Sequence, residues 1–370
     1  MSSEAELKDM LTLATTKTVN SHPDFDQHER VIINDDIGLR AIIAVHNSAL
    51  GPATGGCRIF PYGSVDEALT DVLRLSRGMT YKSALAGLPL GGGKSVIIAD
   101  PARDKTAGLM HAMGDFIDSF EGLYVAAEDS GSTVADMQFM AQRTPYVSGI
   151  LSSERFGGDP SPVTARGVFL GIRAAVRHRL GRDLNGIRVA VQGTGNVGYH
   201  LIRLLHEAGA SIVAADFAKS RVQRVVAEFG VTRCAPADIL SSEVDVIAPC
   251  ALGSAINNGN IDSIQAKVIA GGANNQLQID ALGDLLYQRG ILYAPDYVIN
   301  SGGIIDIHYQ RQGLRDIDRI NAHLDIITTN LEQIFNESDR RQCATNTVAD
   351  ELARARFMRS EQSPATAQSL

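Results

Sequence analysis

Short apolar runs at 40–45, 95–99 and 123–127, bounded by turn-forming residues, predict buried strands in the first half of the chain. Between the first two runs stands Ser64-Val65-Asp66-Glu67. It is a capping box, in which Ser64 and Glu67 can each satisfy the other's free backbone N–H. Ala68, Leu69, Val72, Leu73 and Leu75 then share one face, so a helix follows. The pattern breaks over 145–165, where Gly157-Gly158-Asp159-Pro160-Ser161-Pro162 is dense in turn formers. A boundary between two domains is expected there, with a helix from about 164 to 178. Beyond it, strand patterns at 187–191 and 211–215 flank an apolar helix face made by Leu201, Ile202, Leu204 and Leu205. Runs at 244–248, 267–270 and 291–294 can extend the same parallel sheet. The stretch 317–359 reads as helical and charged, and 360–370 as a loose polar tail. Apolar runs alternating with helical patterns define an α/β chain of two domains.

The junction between the strand at 187–191 and its helix carries chemistry. Gly193-Thr194-Gly195-Asn196-Val197-Gly198 fits G-x-G-x-x-G in its required context of strand, turn, helix, second strand and acidic residue. Gly193 allows the tight turn, Gly195 lets backbone approach a pyrophosphate, and Gly198 lets helix and strand pack closely. The helix N-terminus, including Asn196 and Val197, offers free N–H groups and the positive dipole end to phosphates. Asp216 closes the second strand, where a carboxylate can accept from both ribose hydroxyls and would repel a 2′-phosphate. NAD is therefore expected over NADP, with Phe217 beside the same cofactor. Lys219 and Arg221, just beyond, could soften that preference or form a solvated helix face.

Composition narrows the class. With 42 acidic and 34 basic residues the net charge is −8, which disfavours binding to nucleic acid or anionic lipid. No run approaches the length of a membrane span, and the N-terminus lacks a secretory pattern. Cys57, Cys234, Cys250 and Cys343 are widely spaced, so neither a disulfide frame nor a metal site is expected. A cytoplasmic protein fits these features.

The richest segment runs from Met79 to Ser95. Its end, Gly93-Lys94-Ser95, imitates a P-loop, but that motif needs glycine where Leu88 stands, and here a strand rather than a helix follows the lysine. The nucleoside-triphosphate reading fails. Lys82 and Lys94 instead sit among Ala, Leu, Pro and Gly, which suggests partial burial. Burial and a nearby second cation would lower an amine's pKa. One lysine could then act as a base while the other holds a carboxylate; two surface lysines flanking a turn is the plain alternative.

Here the chain resembles the amino-acid dehydrogenases that include leucine, valine and phenylalanine dehydrogenases, distantly related to glutamate dehydrogenase. The resemblance rests on Leu50–Arg58, Met79–Lys94, Ala127–Gly131, Pro160–Thr164, the glycine turn, Pro249–Gly253, Ala273–Leu277 and Ala294–Gly303, all in family order. It implies reversible oxidative deamination of an L-amino acid to a 2-oxo acid and ammonium, with NAD accepting hydride, in a homo-oligomer. It implies a substrate domain over 1–150, completed by helices returning from about 340–370, and a Rossmann-type NAD domain over 151–339. By the same resemblance Lys82 binds the substrate carboxylate, Lys94 is the general base for the attacking water, and Asp129 shuttles protons. Asn275 holds the substrate beside the nicotinamide, and Gly55 and Met79 line its site. Ser161, Thr164, Cys250, Ala251, Asn274 and Asn300 contact the cofactor, with Cys250 a packing residue rather than a nucleophile. Thr54, Ala127, Ile304 and Ile307 wall the side-chain pocket. Three of these are apolar, so a hydrophobic substrate, branched or aromatic, is expected. Thr54 replaces a common leucine, and Asp306 an asparagine or histidine.

Two other readings remain open at this point. One is a catalytically silent NAD-binding regulatory protein, disfavoured by the joint presence of Lys82, Lys94, Asp129 and Asn275. The other is a dehydrogenase of altered substrate class; loss of Lys82 would have favoured amines, and Lys82 is present.

Overall fold

The computed structural model describes residues 16–36, 38–150, 159–251 and 253–361. Gly157, Gly158 and the tail from 362 on, for which a turn and a loose end were expected, lie outside the described residues. Contacts divide the chain into two compact units. One takes in the described residues up to 84, those from 88 to 150 and those from 356 on; the other takes in 85–87 and 159–355.

The first unit is built on strands β1 (Thr16–Thr18), β2 (Arg30–Asp36), β3 (Leu39–Asn47), β4 (Ala53–Phe60), β5 (Gly91–Ile98) and β6 (Tyr124–Glu128). Their order is β1-β2-β3-β5-β4-β6. The β3–β5 pair is antiparallel, whereas β4 runs parallel to both β5 and β6. Helices α1 (Val65–Leu85), α2 (Ala107–Asp118) and α3 (Val134–Met140) complete the unit. Ile43, Cys57, Ile97 and Tyr124 pack with Met110, Phe116 and Met137 of α2 and α3. Ile42, Ala44 and Val96 pack with Leu69, Val72 and Leu73 of α1. Neighbours such as Ile42 and Ile43 thus enter opposite cores, the two-residue alternation of a strand buried on both faces. That burial explains why these strands read as unbroken apolar runs. β4 did not, because Thr54-Gly55-Gly56-Cys57-Arg58 interrupts the run with polar and glycine positions. The capping box forms with one change. Ser64 Oγ accepts from the Glu67 N–H at 3.1 Å, but Glu67 reaches back to the Gly63 N–H at 2.8 Å, one residue further than predicted.

The second unit holds α4 (Ser161–Leu180), β7 (Arg188–Gln192), α5 (Asn196–Glu207), β8 (Ser211–Ala215), α6 (Lys219–Phe229), β9 (Thr232–Arg233), β10 (Val246–Pro249) and β11 (Val268–Ile269). It continues with α7 (Leu282–Gln288), β12 (Leu292–Tyr293), α8 (Asp296–Ile299), α9 (Gly302–Arg311) and α10 (Ile317–Arg341). Its six strands are all parallel, in the order β12-β11-β10-β7-β8-β9. This is a doubly wound sheet with its switch point at β7, where the chain turns from one direction of winding to the other. The last stretch is helical as expected, and is made of two helices. Gln342 adopts the left-handed conformation (φ 54°) and donates its N–H to Ser338 O, after which α11 (Thr345–Glu361) begins. The polar surroundings of Gln342 gave no glycine or proline to mark that break.

Candidate active site

Three parallel strands of the first sheet carry the chemistry. Alternation places Thr54, Gly56 and Arg58 of β4, Lys94 of β5 and Ala127 of β6 on the face covered by α1. Asp129 follows β6 directly, and a Cβ added at Gly56 would stand 2.6 Å from its Cβ. The missing side chain at 56 is therefore the space Asp129 fills. Lys94 is buried, and its Nζ lies 2.6 Å from Asp129 Oδ2. Arg58 Nε approaches the same oxygen at 3.3 Å. The Arg58 guanidinium is itself held by Asp71 Oδ2 at 2.8 Å, which also accepts from the Tyr62 hydroxyl at 2.5 Å. Burial pushes the Asp129 carboxyl up, but Lys94 and Arg58 outweigh it and hold the group below the usual carboxylate range. The result is an ionised carboxylate held between the Lys94 amine and the Arg58 guanidinium. Arg58 had no role in the sequence reading; the alternation along β4, had that strand been recognised, would have placed it on the catalytic face.

The remaining candidates of this unit fall into place around that face. Lys82 is half-buried in the last turn of α1, and Met79 half-buried one turn earlier. A Cβ at Gly92 would collide with Thr80, 2.0 Å from its backbone nitrogen, so α1 and β5 touch backbone to backbone two residues before each lysine. Thr54 is buried and donates its hydroxyl to Pro52 O at 3.3 Å. Gly55 is required by the sheet itself, since a Cβ would stand 1.7 Å from Gly93 O.

In the second unit the glycine turn joins β7 to α5 at the switch point. Gly193 has φ 94° and donates its N–H to Ala215 O at 2.7 Å. A Cβ there would strike Ala251 and Cys250, which follow β10, so both lie against the turn. A Cβ at Gly198 would stand 2.0 Å from Gly193 O, whereas at Gly195 the nearest atom is an Arg221 nitrogen 3.8 Å away. Packing thus dictates glycine at 193 and 198 but not at 195, whose side of the turn is an open cradle. Asp216 accepts from the Thr194 N–H and the Ala218 N–H, each at 2.8 Å. Burial raises its carboxyl, yet these backbone donors hold it below the ordinary value, so it presents acceptor oxygens beside the cradle. An open cradle at a helix N-terminus with a carboxylate at the end of the neighbouring strand fits a dinucleotide. Phe217 beside Asp216 is almost wholly exposed, at 92%. Burial pushes the Cys250 thiol up to about 11, which suits packing rather than nucleophilic attack.

The loop after β11 is pinned from inside. Gln276, fully buried, donates to Gly271 O and Ala273 O at 2.8 and 3.1 Å, and its own N–H donates to Asp296 at 2.9 Å. This leaves Asn275 in the left-handed conformation, φ 48°. Asn300 donates to Asn274 Oδ1 at 2.8 Å, tying the two predicted cofactor asparagines together. Thr164, in the first turn of α4 after Ser161, would meet a Cβ at Gly303 at 2.6 Å through its Oγ1. Ile304 and Ile307 lie one turn apart on α9. Asp306 between them is fully buried and bound by Arg315 at 3.2 Å and Gln310 at 2.9 Å. Gln276, Asp296 and Arg315 were not anticipated, because their partners are distant in sequence or lie beyond a turn.

Among the described residues no group of three or more His, Cys, Asp or Glu could hold a metal ion, and no helix is long and apolar enough to cross a membrane.

A doubly wound sheet with an open glycine cradle and a separate sheet bearing a buried lysine–carboxylate pair fit a dinucleotide-dependent enzyme. Residues 27–146 match the family profile described as Glu/Leu/Phe/Val dehydrogenase, dimerisation domain, and 159–224 and 215–362 match that of Glutamate/Leucine/Phenylalanine/Valine dehydrogenase. Leucine dehydrogenase of Geobacillus stearothermophilus is 48% identical over 91% of this chain and 93% of its own. Valine dehydrogenase of Streptomyces virginiae is 42% identical over 91% and 95%. The crystal structure of L-tryptophan dehydrogenase from Nostoc punctiforme superposes with a TM-score of 0.78 at 42% identity, covering 91% of this chain and 97% of that one. The chain belongs to the Glu/Leu/Phe/Val dehydrogenase family and is an amino-acid dehydrogenase that uses a nicotinamide dinucleotide.

Proposed function

We propose that the protein catalyses the reversible oxidative deamination of a hydrophobic L-amino acid, with NAD rather than NADP as its partner. The observation that carries this reading is the 2.6 Å contact of buried Lys94 with Asp129 on a sheet face where glycine leaves room. Lys82 holds the substrate carboxylate as a fixed cation. Lys94, once it has passed its own proton to Asp129, takes a proton from the water that attacks the imino carbon. Asp129 passes protons to and from the substrate nitrogen, exchanging them with Lys94 across that short contact. Asn275 orients the substrate. Thr54, Ala127, Ile304 and Ile307 contribute a mainly apolar lining, which disfavours an acidic side chain and supports a substrate of the kind named in the leucine, valine and tryptophan enzymes.

Gly193, Gly195, Asn196, Val197 and Gly198 hold the dinucleotide phosphates, with Asp216 on the ribose. Phe217, Cys250, Ala251, Ser161, Thr164, Asn274 and Asn300 complete its surroundings. When bound, the nicotinamide accepts the hydride released from the substrate Cα. Asp216 supports the preference for NAD, because its ionised carboxylate would oppose a 2′-phosphate. The substrate domain is taken as 1–150 with the C-terminal residues, and the NAD domain as 151–339. The protein is read as cytoplasmic and homo-oligomeric, the latter supported by the dimerisation-domain match.

The test is direct. The protein is incubated with NAD and, separately, with leucine, valine, phenylalanine, tryptophan, glutamate, simple amines and 2-hydroxy acids, and NADH is followed. Turnover of the hydrophobic L-amino acids is expected. Turnover of none of them would overturn the reading, and exclusive use of an amine or hydroxy acid would replace it.

A further inference from the structure

Among the described residues, the pairing of the first sheet shifts register once, between β3 and the catalytic strand β5. Val45 pairs with Gly93, but Asn47 rather than His46 pairs with Gly92, so β3 carries an extra residue at His46. A bulge of this kind re-aims the inserted side chain. His46 is buried, and its Nδ1 lies 2.9 Å from the hydroxyl of Thr80 on α1. Its other nitrogen, Nε2, faces Asp26 Oδ2 at 3.7 Å. The Thr80 hydroxyl also lies 3.5 Å from Ser76 O, so it joins His46 to the backbone of α1.

Around this bond the layer between sheet and helix is packed with ordered polar groups. His28 meets the His46 ring edge to face, with centroids 4.9 Å apart. It donates from Nε2 to Leu73 O at 3.1 Å and accepts the Asp26 N–H on Nδ1 at 3.2 Å. Tyr81 donates to Asp26 at 3.4 Å. Thr80 is the residue whose backbone touches Gly92, and it stands two residues before Lys82, while Gly92 stands two residues before Lys94. The place where α1 meets β5 therefore sets the spacing of the two lysines, and His46 fixes the side chain at that place.

We propose that His46 is a positioning residue for the lysine pair, acting through Thr80 to hold the last turns of α1 against β5. The inference rests on the reading of Lys82 as the carboxylate-binding cation.

The experiment compares wild type with His46→Ala, Thr80→Val and His46→Asn, and includes Lys82→Ala. It measures KM for L-leucine, KM for NAD, kcat, and the inhibition constant of 4-methylpentanoate, a carboxylate that cannot react. His46→Ala and Thr80→Val should each raise the leucine KM and the inhibition constant about tenfold, the scale of one buried hydrogen bond. The NAD KM should stay unchanged, and a variant carrying both His46→Ala and Thr80→Val should be no worse than either single one. His46→Asn keeps a group able to donate or accept near the Nδ1 position and should recover most of the loss. If Lys82→Ala raises the inhibition constant but neither His46→Ala nor Thr80→Val does, the positioning role falls alone. If Lys82→Ala leaves it unchanged, the reading of Lys82 falls and takes the inference with it. A uniform loss that includes NAD binding would mark His46 as merely structural and also overturn the proposal. Should His46→Ala fail to fold, Thr80→Val, which keeps the shape and removes the hydroxyl, decides the matter.

Discussion

Lys94 Nζ stands 2.6 Å from Asp129 Oδ2, and Arg58 Nε stands 3.3 Å from the same oxygen. One carboxylate is thus shared by a residue free to move protons and a residue that never gives one up. Lys94→Ala is expected to lower kcat by roughly a thousandfold, the usual range for losing a general acid–base group. Dinucleotide affinity, measured by titration, should survive. Unchanged turnover would remove Lys94 from the mechanism.

The glycine turn offers a sharper contrast. Gly195→Ala places a methyl where the nearest atom is 3.8 Å away, so the thermal midpoint should hardly move. The dissociation constant for NAD should nonetheless rise at least tenfold. Gly198→Ala drives a Cβ to 2.0 Å from Gly193 O and should destabilise the fold itself. Equal effects of the two substitutions on stability would contradict this account of the turn.

Asp216→Ala should raise the KM for NAD about tenfold through loss of charged hydrogen bonds to the ribose. The ratio of kcat/KM for NAD to that for NADP should fall with it. A variant that keeps the wild-type ratio would show that another residue discriminates.

His28 makes stability depend on pH. Burial, reinforced by His46, lowers its pKa from 6.5 to about 4. Below pH 6.5 the unfolded chain takes up a proton that the folded chain refuses. Stability therefore falls as pH drops from 6.5 to about 4, by up to about 3 kcal/mol. Denaturant titrations of His28→Gln should show a flatter dependence across that window. An identical slope would place the titrating group elsewhere.

Arg315→Leu would strand the fully buried Asp306 carboxylate and is expected to cost about 3 kcal/mol. Adding Asp306→Asn should recover much of the loss. If the double variant is as unstable as the single one in urea unfolding, the ion pair is not what holds this corner of α9.

Legibility in the sequence followed local necessity. The turn from Gly193 to Gly198 could be read because three backbone demands fall at fixed offsets after a strand. Strands buried on both faces announced themselves as apolar runs. β4 stayed hidden because the strand that bears chemistry spends its positions on Gly55, Gly56 and Arg58 rather than on apolar side chains. Arg58, Gln276 and Arg315 were missed for a related reason, since each owes its place to a partner that only the folded chain supplies. Asp306 shows the same limit: its identity stood out, but whether it faced the pocket or an arginine depended on α9 being a helix.

The open space at Gly195 has an evolutionary consequence. Since no neighbour demands its bareness, a duplicated gene could drift there and still yield abundant, well-folded protein. Such a copy would keep its lysine–carboxylate machinery intact yet stand idle for want of a redox partner, and a survey of expression or solubility would pass it as sound.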